Sequence, residues 1–189
     1  MADRFKQALR QTNRQIRCKL SPEFQRDAAS KICARVNTLQ QYHHAKQIAL
    51  YQAVNGEVDL SGLWQSATQQ GKYCYFPVLN ADKTLSFLPA TPATPLVANR
   101  FGIAEPDVAR DLALEPDALD IIFLPLVAFD EKGTRLGLGA GYYDRTLEKN
   151  KTSLLIGVAY EFQRQSFIEA QPWDIPLSVI ITERTTYWS

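Results

Sequence analysis

The sequence predicts an α/β fold built on a largely parallel sheet, and three observations predict it. Short, strongly apolar segments alternate along the chain with stretches of helical periodicity. One of those segments, "ALDIIFLPLVAF" (118–129), is apolar without alternation, as a strand covered on both faces must be. Of the 189 residues 46% are hydrophobic, enough to bury both faces of such a sheet.

Taken in order, "DRFKQALRQTNRQIRCKL" (3–20) carries Phe5, Leu9, Ile16 and Leu20 as an apolar stripe at helical spacing. Lys6, Arg10, Arg14 and Arg17 form a second, basic stripe. In "SPEF", Ser21 is placed to cap a helix with Pro22 at its first position, and that helix should run toward Leu39. "QIALYQAV" (47–54) reads as a buried strand that ends at the turn pair Asn55-Gly56. Asp59 is placed to cap a helix over 60–70, "KYCYFPVL" (72–79) is a second strand, and "TLSFLP" (84–89) a shorter one. From Pro89 to Pro116 periodicity fades and prolines accumulate, which predicts irregular chain, and so long a segment is more often functional than idle. The apolar strand of 118–129 follows, then a glycine-rich stretch, a helix over 142–149, and the strands "SLLIGVAY" (153–160) and "SVIIT" (178–182). No repeat interrupts this order, so residues 1–189 are expected to form one α/β domain.

Composition narrows the function. With 21 basic against 20 acidic side chains the net charge is +1, which argues against a nucleic-acid partner while leaving room for small anions. Cys18, Cys33 and Cys74 are widely spaced, with no CxxC pair, and suit a reducing compartment better than a disulfide scaffold or a zinc site. No apolar run is long enough for a membrane span. The basic N-terminus has no serine before Ser21 and runs straight into a second helical pattern, so a cytoplasmic protein is expected. His43 and His44 sit at a helix-to-strand connection with no partner pattern, and read as a surface pair.

In open α/β sheets ligands gather beyond the carboxyl ends of the strands. Those ends carry 52–57, 129–143 and 160–163. The second of them contains "RLGLGAGYYDR" (135–145), which places Gly137, Gly139 and Gly141 on alternate positions between two arginines, in a chain with nine glycines. Glycines let the backbone adopt positive φ and bring its N–H groups close to a ligand. Successive N–H groups turned into a concavity hold anionic oxygens, a following helix N-terminus adds partial charge, and Arg135 supplies a forked contact. A phosphate cradle is the expected result. The spacing is neither that of a Walker A loop nor that of a dinucleotide fingerprint.

The longer string "PLVAFDEKGTRLGLGAGYYDRTL" resembles the signature of the 5-formyltetrahydrofolate cyclo-ligase family. "ALYQAVNGEVD", "RFGIAEP", "LLIGVAYEFQ" and "PWDIPLSVIIT" extend the likeness in order, from Lys6 and Arg10 to Thr182. The resemblance implies a three-layer α/β fold, similar to sugar-phosphate isomerases and CoA transferases, with helices on both faces of the sheet. It implies ATP- and Mg2+-dependent cyclisation of 5-formyltetrahydrofolate to 5,10-methenyltetrahydrofolate through a phosphorylated formyl (iminophosphate) intermediate. The alternative is a non-catalytic relative that binds nucleotide or folate as a regulatory module.

By the same resemblance Lys6, Arg10, Arg135 and the segment Leu136, Gly137, Leu138, Gly139, Ala140, Gly141, Tyr142 and Tyr143 bind ATP. Within it Leu138, Gly139, Ala140, Gly141 and Tyr142 also meet the folate, as do Gln52 and Glu57. Arg135 and Tyr142 are the catalytic candidates; Asp144 and Asp174 are the metal candidates. The implied partners are these small molecules, with no nucleic acid and no membrane, acting on a monomer. Trp173 stands where many relatives have histidine, Ala140 where some have a basic residue or glycine, and Leu126 where glycine is common.

Overall fold

Ser21 and Pro22 open their helix as their chemistry requires. In the computed structural model, which describes residues 2–189, the Ser21 hydroxyl accepts a hydrogen bond from Phe24 N at 3.2 Å and Pro22 begins α2 (Pro22–Val36). Before it lies α1 (Ala2–Lys19); after it come the short α3 (Gln40–His44) and β1 (Gln47–Ala49). Asn55 and Gly56 both take positive φ, 51° and 72°, at the turn expected there. The Asp59 carboxylate accepts from Ser61 N at 2.8 Å as α4 (Ser61–Gln69) begins.

The strands β2 (Tyr73–Leu79), β3 (Leu85–Pro89), β6 (Ile121–Pro125), β9 (Leu154–Val158), β10 (Val179–Ile181) and β11 (Thr186–Trp188) join β1 in one sheet, ordered β11-β10-β9-β6-β1-β2-β3. β2, β1, β6, β9 and β10 run parallel; β3 and β11 close the two edges antiparallel. Successive strand side chains point to opposite faces. Ile48, Phe76, Ile121, Phe123, Ile156 and Val179 pack on Ala28, Ile32 and Val36 of α2 and Leu63 and Ala67 of α4. Ala49, Tyr75, Phe87, Ile122, Leu124, Leu155 and Ile180 form the other face, packed against Leu119, Leu177 and Leu147 of α5 (Tyr142–Leu147). The architecture is three-layered, with the second helical layer much the thinner.

Two local readings are corrected, and two features of the structure are new. α5 ends at Leu147, two residues short of the expected Lys149. The edge strand β11, three residues long, is too short to carry a periodic signal. The segment between Pro89 and Pro116 is not wholly irregular: β4 (Leu96–Ala98) and β5 (Ala104–Pro106) pair as an antiparallel hairpin. All three residues of β4 are exposed, so no apolar alternation marks it. Lastly, α1 turns its polar stripe inward and leaves much of its apolar stripe outside. Phe5 and Ile16 face solvent, whereas Lys6, Asn13 and Arg17 are buried and Arg14 is exposed.

Gly157 in β9 marks a tight point under the strand exits, where a Cβ would lie 2.8 Å from Leu126 Cδ2 and closer still to Leu177. Gly157→Val is expected to overpack this layer at a cost of about 1–3 kcal/mol. For a chain of this length that lowers Tm by about 3–10 °C in a thermal melt. An unchanged Tm would show that the layer has slack there.

Candidate active site

The carboxyl ends of β1, β2 and β6 open on a cavity of about 1520 Å³. Tyr51, Gln52 and Glu57 enter it after β1, Leu79 from the end of β2, and Pro125 and Leu126 from the end of β6. The glycine loop, the start of α5, residues 171–175, the tip of the β4–β5 hairpin, and Lys6 and Arg10 of α1 complete the wall. Every site residue expected from the sequence lines this one cavity. The 160–163 segment does not: Gln163 instead donates to Leu126 O and Val127 O, both at 2.8 Å, and braces the strand exit from below.

A short ribbon delivers the glycine loop. β7 (Ala128–Phe129) and β8 (Arg135–Leu136) pair antiparallel across a turn held by the buried Asp130 carboxylate. That carboxylate accepts from Lys132 N and Thr134 N at 3.1 Å and from Ile168 N at 2.9 Å. Beyond β8, Gly139 and Gly141 adopt φ of 99° and 69°, a region open to glycine but disfavoured for side chains with a Cβ. Gly137 does not share it, which corrects the expectation that all three glycines would. Its carbonyl instead accepts from Arg10 Nε at 2.9 Å. On the far side Arg145 donates to Ala140 O at 2.5 Å and to Lys83 O at 3.0 Å, so the loop is tied to α1 at one end and to the β2–β3 turn at the other.

Arg135 is 8% exposed, and its Nη2 lies 2.5 Å from Asp144 Oδ1. Its Nη1 also donates to Ile175 O, while Ile175 N donates to Asp144 Oδ1 at 3.3 Å. The guanidinium fork and the carboxylate therefore lock α5 to the 171–175 segment. In that segment Asp174 accepts from Gln171 N at 2.9 Å and closes a turn, and Trp173 stands 67% exposed at the cavity rim. Among the described residues no three His, Cys, Asp or Glu side chains cluster as a metal cage. Magnesium rarely asks for one, since it binds through one or two carboxylates and keeps waters and phosphate oxygens as its other ligands.

The opposite wall suits a polar, flat ligand. Glu57 is 8% exposed; its Oε2 accepts from Val54 N at 3.1 Å and its Oε1 lies 3.7 Å from Arg17 Nη2. Burial pushes the Glu57 carboxyl above its ordinary value, and the Arg17 guanidinium, the Val54 N–H and Arg14 pull it back. Gln52 presents a buried side-chain N–H2 with no hydrogen-bond partner among the described residues, and such a donor calls for an acceptor. The two tyrosines divide their work. Tyr143 packs into the core beside Leu147, whereas Tyr142 points outward, its hydroxyl accepting from Arg100 Nη2 at 2.6 Å and its ring flanked by Arg145.

Several lining or bracing residues were missed. Phe101, 59% exposed at the hairpin tip, and Glu105, whose Oε1 accepts from Leu79 N at 2.9 Å, come from the stretch read as irregular. Asn13 donates to Val127 O at 2.9 Å and Arg17 to Leu126 O at 3.1 Å. Their signal was present as positions 6, 10, 13 and 17, a helical face of hydrogen-bond donors.

Fold and site together define an α/β enzyme of small molecules, with a cationic glycine loop and a buried carboxylate facing one cavity. The comparisons make the class specific. Residues 2–183 match the model of the 5-formyltetrahydrofolate cyclo-ligase family. A 5-formyltetrahydrofolate cyclo-ligase of Haemophilus influenzae is 40% identical over 180 residues, spanning 93% of this chain and 96% of its own. One from Escherichia coli K12 is 36% identical over 173 residues, spanning 89% and 95%. The solved 5,10-methenyltetrahydrofolate synthetase of Aquifex aeolicus superposes with a TM-score of 0.85 at 35% identity, covering 97% of this chain and 92% of that one. The chain belongs to the 5-formyltetrahydrofolate cyclo-ligase family.

Proposed function

We propose that this enzyme closes 5-formyltetrahydrofolate to 5,10-methenyltetrahydrofolate at the expense of ATP, with magnesium, releasing ADP and phosphate. The observation that carries the reading is the single cavity in which the Arg135–Asp144 pair and its glycine loop face Glu57. The chemistry requires both walls. A formamide oxygen is a poor leaving group, so N10 of the folate cannot expel it unaided. Transfer of a phosphoryl group to that oxygen makes it a phosphate leaving group; N10 attacks the activated carbon, loses its proton, and phosphate departs. Little covalent work falls to the protein, which must align the reacting atoms and neutralise charge as it moves.

In this reading Lys6, Arg10 and the N–H groups of Leu136 to Tyr143 hold the nucleotide phosphates, and Arg135 meets the transferred group. Glu57 accepts paired N–H donors from the pterin, Gln52 donates to an acceptor on the folate, and residues 138–142 lie between the two substrates. Tyr142 orients the reacting edge from the loop side. Asp144 and Asp174 supply hard oxygen donors that suit magnesium, which when bound neutralises charge on the phosphates. Cys18, Cys33 and Cys74 are free thiols, which suits a reducing, cytoplasmic compartment, where the enzyme would act as a monomer on its small-molecule substrates. Among the described residues no helix is long and apolar enough to cross a membrane.

A mixture of the protein, 5-formyltetrahydrofolate, ATP and magnesium is expected to develop the near-ultraviolet absorbance of the methenyl product. Omitting ATP or chelating the metal should abolish it. A folded protein that binds both ligands yet forms no product would instead be a regulatory binding module.

A further inference from the structure

Arg17 stands 1% exposed at the inner end of the polar face of α1. A buried guanidinium is costly unless its charge is matched. Its Nη1 is satisfied by Leu126 O at 3.1 Å, but Nε and Nη2 have no hydrogen-bond partner among the described residues. The nearest compensating charge is Glu57 Oε1, 3.7 Å from Nη2. That separation is short enough for strong attraction and too long for a hydrogen bond. Glu57 mirrors the arrangement, since Oε2 is taken by Val54 N, while Oε1 accepts nothing among the described residues and the side chain lines the cavity. The pair therefore holds the anion while leaving one carboxylate oxygen without a hydrogen bond among the described residues.

The backbone enforces the alignment. A Cβ on Gly56 would lie 2.7 Å from Arg17 O, so the turn that carries Glu57 is seated directly on the α1 main chain. The ionisable groups facing Glu57 are Arg17 and Arg14 from α1, Tyr51 after β1, Tyr143 from α5 and Tyr160 after β9. Burial pushes all three phenols upward, Tyr160 to about 12, so near neutrality the arginines alone compensate the carboxylate.

We infer that Arg17 is a positioning residue that keeps Glu57 an anion aimed into the cavity, and through it sets the affinity for the folate ring. This rests on the reading of Glu57 as the pterin contact. The same face of α1 serves the rest of the wall: Asn13 holds Val127 O, Arg10 holds Gly137 O, and Lys6 reaches the cavity itself.

The test is steady-state kinetics of Arg17→Met, Arg17→Lys, Glu57→Gln and the Arg17→Met/Glu57→Gln double variant, with MgATP saturating. Methionine keeps the methylene packing and removes the charge. Arg17→Met is expected to raise KM for 5-formyltetrahydrofolate about tenfold or more, because the buried anion is left uncompensated. kcat and the KM for MgATP should move less than about threefold, since uniform binding of one substrate is what is lost. Without the cation Glu57 holds its proton to higher pH, so the acidic limb of kcat/KM for the folate should move to higher pH. Arg17→Lys restores a charge but not the fork, and should recover part of the affinity. With Glu57→Gln already present, Arg17→Met should raise KM no further. A folate KM and acidic limb unchanged in Arg17→Met would overturn the inference, as would independent, multiplicative effects in the double variant. Should Arg17→Met fail to fold, Arg17→Gln, which keeps a donor for Leu126 O without the charge, decides in its place: wild-type KM and limb position there would overturn the inference. Wild-type affinity in Glu57→Gln would instead sink the pterin contact itself.

Discussion

Arg135→Ala is expected to lower kcat about a thousandfold while the chain stays folded. The size follows from the proposed phosphoryl transfer, because losing a single preorganised donor to developing charge costs about 100- to 1000-fold. The structure adds a second reason. Arg135 holds Asp144 Oδ1 at 2.5 Å and also donates to Ile175 O, so its removal frees both the acid and the 171–175 segment from their shared anchor. Asp144→Asn should be crippled to a similar degree, and the double variant no worse than either single, because residues that act as a unit are not additive. Arg135→Lys should recover little, since an ammonium cannot bridge a carboxylate and a carbonyl as a planar fork does. Circular dichroism of each variant separates loss of chemistry from loss of fold. Turnover within tenfold of wild type in Arg135→Ala would remove it from the catalytic machinery.

The parts of this molecule legible in its sequence are those whose neighbours are apolar. Ile121 to Leu124 read as a doubly covered strand because four apolar side chains in a row, without alternation, suit a strand buried on both faces, and they lie at the centre of the sheet. The glycine stretch was legible because alternate glycines serve no apolar purpose, and it lines the cavity beyond the β6 exit. Which stripe of α1 faces inward was not legible, for an equally physical reason. The stripe Phe5, Leu9, Ile16, Leu20 is real, yet only Leu9 and Leu20 find apolar company. What the helix faces is a set of carbonyls at the strand exit, those of Leu126, Val127 and Gly137, and buried carbonyls need donors rather than methyl groups. The polar face therefore turns inward, a choice set by groups more than a hundred residues away. The β4–β5 hairpin was hidden differently: Asn99 accepts from Phe101 N and Ile103 N through its side chain, and Glu105 fixes the ribbon to Leu79, so local polar bonds do what an apolar face usually does.

Gly139→Val is expected to weaken MgATP binding by more than about 100-fold, which corresponds to about 2.7 kcal/mol. Space is not the obstacle, because a Cβ there would meet Arg10 Cζ at 3.5 Å, an ordinary contact. The dihedral is. At φ of 99° a β-branched side chain is strained, and the loop must relax to a conformation that turns its N–H groups elsewhere. Relaxation also disturbs the neighbouring Gly137 carbonyl held by Arg10, so the proposed loop and Arg10 grips on phosphate would be lost together. Gly139→Ala, with a smaller side chain and the same φ conflict, should lose about tenfold. Gly137→Ala is the informative contrast: its φ lies outside the left-handed region and its Cβ would meet open space, so the loss should not exceed about threefold. Calorimetric titration with MgATP in the absence of folate reads all three. The order Gly139→Val, Gly139→Ala, Gly137→Ala, from greatest loss to least, follows only if the bound phosphates depend on the backbone of that loop. Equal affinity for all three variants would mean that the nucleotide is held by side chains alone.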